Sequence, residues 1–394
     1  MMLPGDTRIG VLGAGSMGSG IAQVAAVAGH PVVIADVSEA ALERAVGSIR
    51  KTLDREAEKG RLTTAEVAAI VGRIEMATVN GHYSAFEGCG LVVEAILEDL
   101  AVKQQAFTAL EGATGPTAVL ASNTSSLSVT AIAAPCQHPE RVVGVHFFNP
   151  APLMPLVEII GGHATDARVL AAVRALVDRW GKTTVVAADT PGFIVNRVAR
   201  PFYGEALRIL EEGVADYATI DWAMRELGGF RMGPFELMDL IGNDINYAVT
   251  RSVFEAFSYD PRYRPSLIQK RLVDARLFGR KTGRGYYDYR AGASPEEPVR
   301  DEAMGRAIVD RIVAMLINEA AEAVFLRIAT AGDVDLAMTK GVNYPKGLLR
   351  WADEIGIGVV LGRLTALQEE YGEDRYRPSP LLRRMARDGR RFFE

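Results

Sequence analysis

The chain has 394 residues, 48% hydrophobic and 24% charged, which is ordinary globular usage and enough length for two or three packed domains. Forty-four basic against 49 acidic side chains leave a net charge of −5, so no global positive field draws the chain to nucleic acid. Two cysteines, Cys89 and Cys136, are too few for a metal cluster or a disulfide framework; they read as reduced thiols of a cytoplasmic protein, and no metal is expected.

The first residues, Met1 to Asp6, lack the basic and apolar regions of a signal peptide. From Ile9 to Ala35 there is no charged residue, long enough to raise the question of a membrane span. The glycines at 10, 13, 15, 18, 20 and 29, with Pro31, Ser16, Ser19 and Gln23, instead predict three short elements of a βαβ unit and no membrane partner. Arg8-Ile-Gly-Val-Leu12 suits a buried strand, Met17, Ile21, Val24 and Ala28 have helical spacing, and Pro31-Val-Val-Ile-Ala-Asp36 suits the next strand.

Between strand and helix lies Gly13-Ala-Gly-Ser-Met-Gly18. Gly13 permits the tight turn, Gly15 lets a pyrophosphate approach the backbone, and Gly18 lets helix and sheet pack closely. Ser16 and Met17 fall in the first helical turn, whose unpaired N–H groups attract phosphate. Asp36, 23 residues after Gly13, is placed to accept from ribose hydroxyls and to repel a 2′-phosphate, so the expected cofactor is NAD rather than NADP. Further strands are predicted at Leu91–Ala95, Thr117–Ala121, Arg141–Val145, Leu156–Ile160 and Thr183–Ala187. Helical stretches alternate with them, including an amphipathic Ser38–Lys59 and a capping box at Thr63–Glu66. The fold class is therefore α/β, a Rossmann-type doubly wound sheet to about residue 188, followed by two tandem all-α domains.

His146 ends a predicted strand, where open α/β sheets gather ligands, and Glu158 lies in the strand returning after the Pro150–Pro155 turn. A hairpin-like course would set carboxylate beside ring, fixing its tautomer and supporting an imidazolium. Unrelated structural positions are the alternative for that pair. His30, His82, His138 and His163 have polar or turn neighbours and read as structural or solvated.

The segments Ser122-Asn-Thr-Ser-Ser126, His146-Phe-Phe-Asn-Pro150, Leu156-Val-Glu158, Asp189-Thr-Pro-Gly-Phe-Ile-Val-Asn-Arg197, Met232-Gly-Pro-Phe-Glu-Leu237 and Gly279-Arg-Lys-Thr-Gly-Arg-Gly-Tyr-Tyr287 together resemble the L-3-hydroxyacyl-CoA dehydrogenase family over roughly residues 7 to 290. The resemblance implies reversible hydride transfer between NAD and an acyl-CoA thioester, as in fatty acid β-oxidation, with His146 as acid and base and Glu158 as its orienter. It implies that Ser125 and Asn196 hold the substrate oxygen, although Ser125 equally suits a turn and Asn196, in a helix begun near Pro191, a solvated position. It sets Glu98, Lys103, Asn149 and Lys281 near the cofactor, and Lys59 and Arg61 toward the substrate's phosphates. For Glu98 with Lys103 an ordinary surface pair, and for Lys59 with Arg61 a solvated helix end, are equally natural. A non-catalytic NAD-binding protein, or a dehydrogenase of free hydroxy acids, remains an alternative, and the acyl chain (3-hydroxybutyryl, longer or dicarboxylic) stays open.

Beyond a polar linker at 291–299, an internal repeat emerges at an offset of 114: Glu205-Ala206 as Glu319-Ala320, Asp221 as Asp335, Met224 as Met338, Gly233 as Gly347 and Asp239 as Asp353. Arg264-Pro-Ser266 returns as Arg377-Pro-Ser379, and Asn196 has Asp310 as its counterpart. The expected organisation is an NAD-binding domain at 1–188, a helical domain at 189–290, and a second, non-catalytic helical copy at 300–394. That copy would replace a partner subunit in a monomer, or the chain would form a homodimer.

Overall fold

The computed structural model describes residues 3–294 and 296–393, so of the linker Pro295 lies outside the described residues. The chain divides into two compact units, Met1–Phe193 and Ile194–Glu394.

The first unit is built on an eight-stranded sheet: β1 Ile9–Leu12, β2 Val32–Asp36, β3 Ile74–Thr78, β4 Leu91–Glu94, β5 Val119–Ser122, β6 Val142–Phe147, β7 Leu156–Gly161 and β8 Thr183–Ala188. The order is β3-β2-β1-β4-β5-β6-β7-β8, and every ladder is parallel except β6–β7, which is antiparallel. Central strands β1, β4 and β5 are buried along their whole length, as a parallel sheet covered on both faces requires. The reading by residue pattern omitted β3. That strand lies at the sheet edge with Glu75 and Met76 exposed, so it carries no continuous apolar run.

Helices α1 Ser16–Val27, α2 Glu39–Glu58, α3 Thr64–Gly72, α4 Leu100–Ala113, α5 Val129–Ala133 and α6 Ala167–Arg179 flank the sheet. In α2 the buried side chains are Leu42, Ala45, Ile49 and Leu53, one stripe at helical spacing. Ser38 caps α2 through the Ala41 N–H, and Thr63 with Glu66 forms the capping box of α3. The uncharged Ile9–Ala35 stretch thus forms a βαβ unit, and among the described residues no helix is long and apolar enough to cross a membrane.

The second unit is helical: α7 Val195–Val198, α8 Arg200–Glu211, α9 Tyr217–Trp222, α10 Pro234–Ile241, α11 Asn243–Ala256 and α12 Leu267–Asp274, then α13 Glu302–Phe325, α14 Ala331–Gly341, α15 Leu348–Ile355, α16 Ile357–Tyr371 and α17 Pro380–Asp388. The helix carrying Asn196 begins at Val195, not near Pro191. Gly192 and Phe193 have φ of 74° and 47°, left-handed values that no right-handed helix accommodates.

The repeat is visible as duplicated hydrogen bonding. Asp221 accepts from the Phe235 and Glu236 N–H groups, and Asp335 from those of Leu349 and Arg350. A Cβ on Gly233 would stand 2.2 Å from the Asp221 carboxylate, and one on Gly347 2.3 Å from that of Asp335, which explains the recurrent glycine. The repeats also bind each other reciprocally. Arg197 and the Tyr263 hydroxyl donate to Glu319, while Arg311 and the Tyr376 hydroxyl donate to Glu205. Residue i of one copy meets residue j of the other and the converse, the pattern of a two-fold interface. Both copies consequently fold into one compact body.

Candidate active site

The glycine turn joins β1 to α1 under tight steric limits. Gly13 has φ 108°, and a Cβ there would lie 2.5 Å from the Ala95 carbonyl oxygen; a Cβ on Gly18 would lie 1.9 Å from the Gly13 oxygen. Gly15 faces open space, and no side chain caps α1. An approaching phosphate therefore meets bare backbone at a helix N-terminus. Asp36, at the end of β2, accepts from the Ala14 N–H at 2.8 Å and the Ser38 N–H at 3.0 Å. It thus ties the turn to the second strand and turns its carboxylate toward the same opening.

That opening is a cavity of about 670 Å³ lined by Gly13, Gly15 and Asp36, with apolar walls that include Val37, Val79, Ile96 and Leu97. A flat apolar slot beside a carboxylate and a bare helix end fits the adenosine half of NAD. The pattern reading missed these walls. Val37 and Leu97 are 77% and 72% exposed, and large apolar side chains so exposed beside strand ends were the available signal.

His146 and Glu158 are a register pair of the antiparallel β6–β7 ladder. Nδ1 of His146 lies 2.7 Å from Oε2 of Glu158, and the Glu158 side chain is fully buried. A carboxylate only accepts, which assigns the Nδ1 proton to the imidazole and leaves the Nε2 lone pair available. The ring centroids of Phe148 and Phe193 stand 4.6 and 5.8 Å from that of the imidazole and pack against it.

Glu98 organises the loop after β5. Its Oε1 accepts from the Thr124 hydroxyl at 2.7 Å, the Ser125 N–H at 3.0 Å, and the Ser126 N–H and hydroxyl at 3.2 and 3.0 Å. Burial would raise this carboxyl, but the Thr124 hydroxyl, the Lys103 ammonium and the two serine donors outweigh it and hold it below its ordinary value. Lys103 lies 2.6 Å from Glu94 and 3.3 Å from Glu98 with its side chain 1% exposed. The surface-pair alternative is therefore corrected: Lys103 falls on the buried face of α4 with Ala106, Phe107 and Leu110, and Glu94, which the pattern reading did not single out, is its main partner. Ser16 donates to the Asn149 side chain at 3.4 Å, so the glycine turn and the loop after β6 meet.

The remaining candidates have their own partners or settings. Lys59 and Arg61 are exposed and paired with Glu56 at 2.8 and 2.7 Å. In the second unit, Asn196 is on α7 and Lys281 lies 2.6 Å from Asp244. Met17 is half-buried in the first turn of α1. His30 is buried, 2.9 Å from the Thr7 carbonyl and edge-on to Trp180, with its pKa lowered by desolvation.

Comparison with known proteins matches the same regions. Residues 8–190 match the 3-hydroxyacyl-CoA dehydrogenase NAD-binding domain, and residues 192–289 and 308–391 its C-terminal domain. A 3-hydroxyadipyl-CoA dehydrogenase of Escherichia coli strain K12 is 38% identical over 96% of this chain and 97% of its own. The fatty acid oxidation complex subunit alpha of Pseudomonas syringae pv. syringae is 35% identical over 97% of this chain, which spans 55% of that protein. A crystal structure of 3-hydroxybutyryl-CoA dehydrogenase from Escherichia coli K12 superposes with a TM-score of 0.92 at 38% identity, covering 97% of this chain and 98% of that one. With a cofactor cradle and a histidine–carboxylate pair in a unit that the NAD-binding model spans, the chain belongs to the 3-hydroxyacyl-CoA dehydrogenase family, whose NAD-dependent oxidoreductase activity it shares.

Proposed function

We propose that the oxidation of L-3-hydroxyacyl-CoA to 3-ketoacyl-CoA runs in this chain through His146 as proton acceptor, with Glu158 holding the imidazole. The observation that carries this reading is the 2.7 Å contact between Glu158 and Nδ1, which leaves Nε2 to take the hydroxyl proton and to return it in the reverse direction. NAD, when bound, supplies the hydride acceptor. Gly13, Gly15, Gly18 and the backbone of Ser16 and Met17 would receive its phosphates, and Asp36 its ribose hydroxyls. Asn149, close to Ser16, would border the nicotinamide side.

Ser125 and Asn196 are assigned to the substrate oxygen, where donors stabilise developing negative charge in the reduction. Glu98 and Lys103 act as positioning residues for the Ser125 loop, supported by the hydrogen bonds they share. Lys281, Lys59 and Arg61 are assigned to phosphates, a task for which each would leave its present carboxylate partner.

The second helical copy, at 300–394 beyond the 291–299 linker, is proposed to be non-catalytic. Asp310, the counterpart of Asn196, is paired with Arg363 at 2.7 Å. Reciprocal ion pairs between the copies support its replacing the helical domain of a partner subunit in a monomer; the cytoplasm is the proposed location, supported by the buried free thiols Cys89 and Cys136. The substrate is proposed to be an acyl-CoA thioester, with 3-hydroxyadipyl, from the Escherichia coli relative's name, and 3-hydroxybutyryl as the leading acyl groups. The test is consumption of NADH with acetoacetyl-CoA. Turnover that survives intact in His146→Gln, or binding of NADH without any consumption, would overturn the reading.

A further inference from the structure

Arg200, the first residue of α8, is buried to 7% exposure and forms no ion pair with any described carboxylate. One guanidinium nitrogen donates to the Thr250 hydroxyl at 3.1 Å, the group stacks over Tyr203 at 5.0 Å, and its Nε has no partner. The contrast lies close in sequence: Arg197, three residues earlier on α7, is likewise buried but has Glu319. A buried cation without a counter-charge is costly to fold around unless something else neutralises it.

A second unpartnered group lies nearby. The Tyr344 hydroxyl is buried and unbonded, and Tyr344 and Arg200 are close enough for each charge to affect the other. Tyr344 also lines a cavity of about 290 Å³ with Phe202, Met232, Leu237, Leu240 and the polar Arg231 and Asn343. A phenol donor opening on this cavity, with the buried Arg200 guanidinium close behind it, suits a carboxylate at the end of a short methylene chain.

We propose that Arg200 reads the far-end carboxylate of the acyl group, so that the preferred substrates are thioesters of dicarboxylic 3-hydroxy acids. This rests on the reading under which Asn196 holds the 3-oxygen. Asn196, on α7, and Arg200, the first residue of α8, are only four residues apart in the chain, so the group assigned to the 3-oxygen and the guanidinium are sequence neighbours. In a six-carbon diacid thioester the free carboxylate lies three carbons beyond the reacting carbon, a correspondingly short span. A monocarboxylic chain would bring only a methyl group to the guanidinium and leave its charge unanswered.

The test compares kcat/KM for 3-oxoadipyl-CoA with that for 3-oxohexanoyl-CoA, equal in length but ending in methyl. The wild-type ratio should be on the order of 10², the worth of a desolvated charge pair. In Arg200→Met it should fall to about one, with most of the loss in KM, while Arg200→Lys should retain part of it. A wild-type ratio near one overturns the proposal without any variant, and so does Arg200→Met with its ratio intact. If neither these thioesters nor acetoacetyl-CoA is reduced, the underlying acid–base reading fails instead; brisk acetoacetyl-CoA reduction with no preference for the diacid defeats the Arg200 assignment alone.

Discussion

Glu158 stands directly across the antiparallel β6–β7 ladder from His146, with its carboxylate 2.7 Å from the ring. The pairing is held by the register of two buried strands, because a slip of one residue would turn Glu158 to the opposite face of the sheet. The orientation of the imidazole is thus set by backbone hydrogen bonds as well as by side chains.

Replacing His146 by Gln should lower kcat by about 10² to 10⁴, the usual share of general acid–base catalysis, while NADH affinity by fluorescence titration stays near that of the wild type. Glu158→Gln should lower kcat less and leave the KM for NADH unchanged, since the ring stays but its orienting charge is gone. Equal losses in cofactor affinity and turnover would mean that the pair is structural.

Asp36 both clamps the turn and presents a carboxylate to the cavity beside it, where the adenosine ribose of NAD is proposed to sit. Loss of a charge-assisted hydrogen bond costs about 1.5–3 kcal/mol, so Asp36→Ala should weaken NADH binding roughly 10- to 100-fold. It should narrow the gap to NADPH, whose extra phosphate no longer meets a negative charge. Titrations with both nucleotides decide this; an unchanged preference would remove Asp36 from the ribose site.

Glu98 makes the Ser125 loop sensitive to acid. Its carboxyl titrates below the ordinary value in the folded chain, so its stabilising effect is complete above the unfolded-chain pKa and is lost as pH falls through the folded value. Glu98→Gln should therefore be less stable than the wild type at neutral pH and converge with it in acid, measured by urea denaturation at several pH values. A constant gap down to the acid limit would show that the charge is not responsible.

The glycine turn was legible in the sequence because its demands are local: Gly13 needs a positive φ and Gly18 a missing Cβ, and both coincide with a strand, a helix and Asp36. The His146–Glu158 contact was legible through the short return from Pro150 to Pro155. Strand β3 was not, since an edge strand with exposed Glu75 and Met76 lacks an apolar signature. Nor was the start of α7, where Pro191 suggests a first helical residue but Gly192 and Phe193 adopt left-handed φ values. The repeat showed in residue spacing, whereas the binding of each glutamate by the other copy's arginine depends on how the helices pack.

That cross-binding is itself testable. Glu319 holds Arg197, and Glu205 holds Arg311, all four side chains being at most 12% exposed. Removing one partner of such a buried pair leaves an uncompensated charge and costs about 3–5 kcal/mol. Glu319→Gln should lower the unfolding free energy of the helical unit by that amount, and Glu205→Gln by less, because Arg311 keeps Glu212 at 2.8 Å. Replacing Arg197 and Glu319 together with Met and Leu should recover part of the loss, because the Arg197 charge leaves with its partner, while the Tyr263 hydroxyl and the Arg262 guanidinium still lose Glu319. If either single variant unfolds at the wild-type denaturant concentration, the reciprocal pairs do not hold the two copies together, and the apolar faces of α8 and α13 must do so alone.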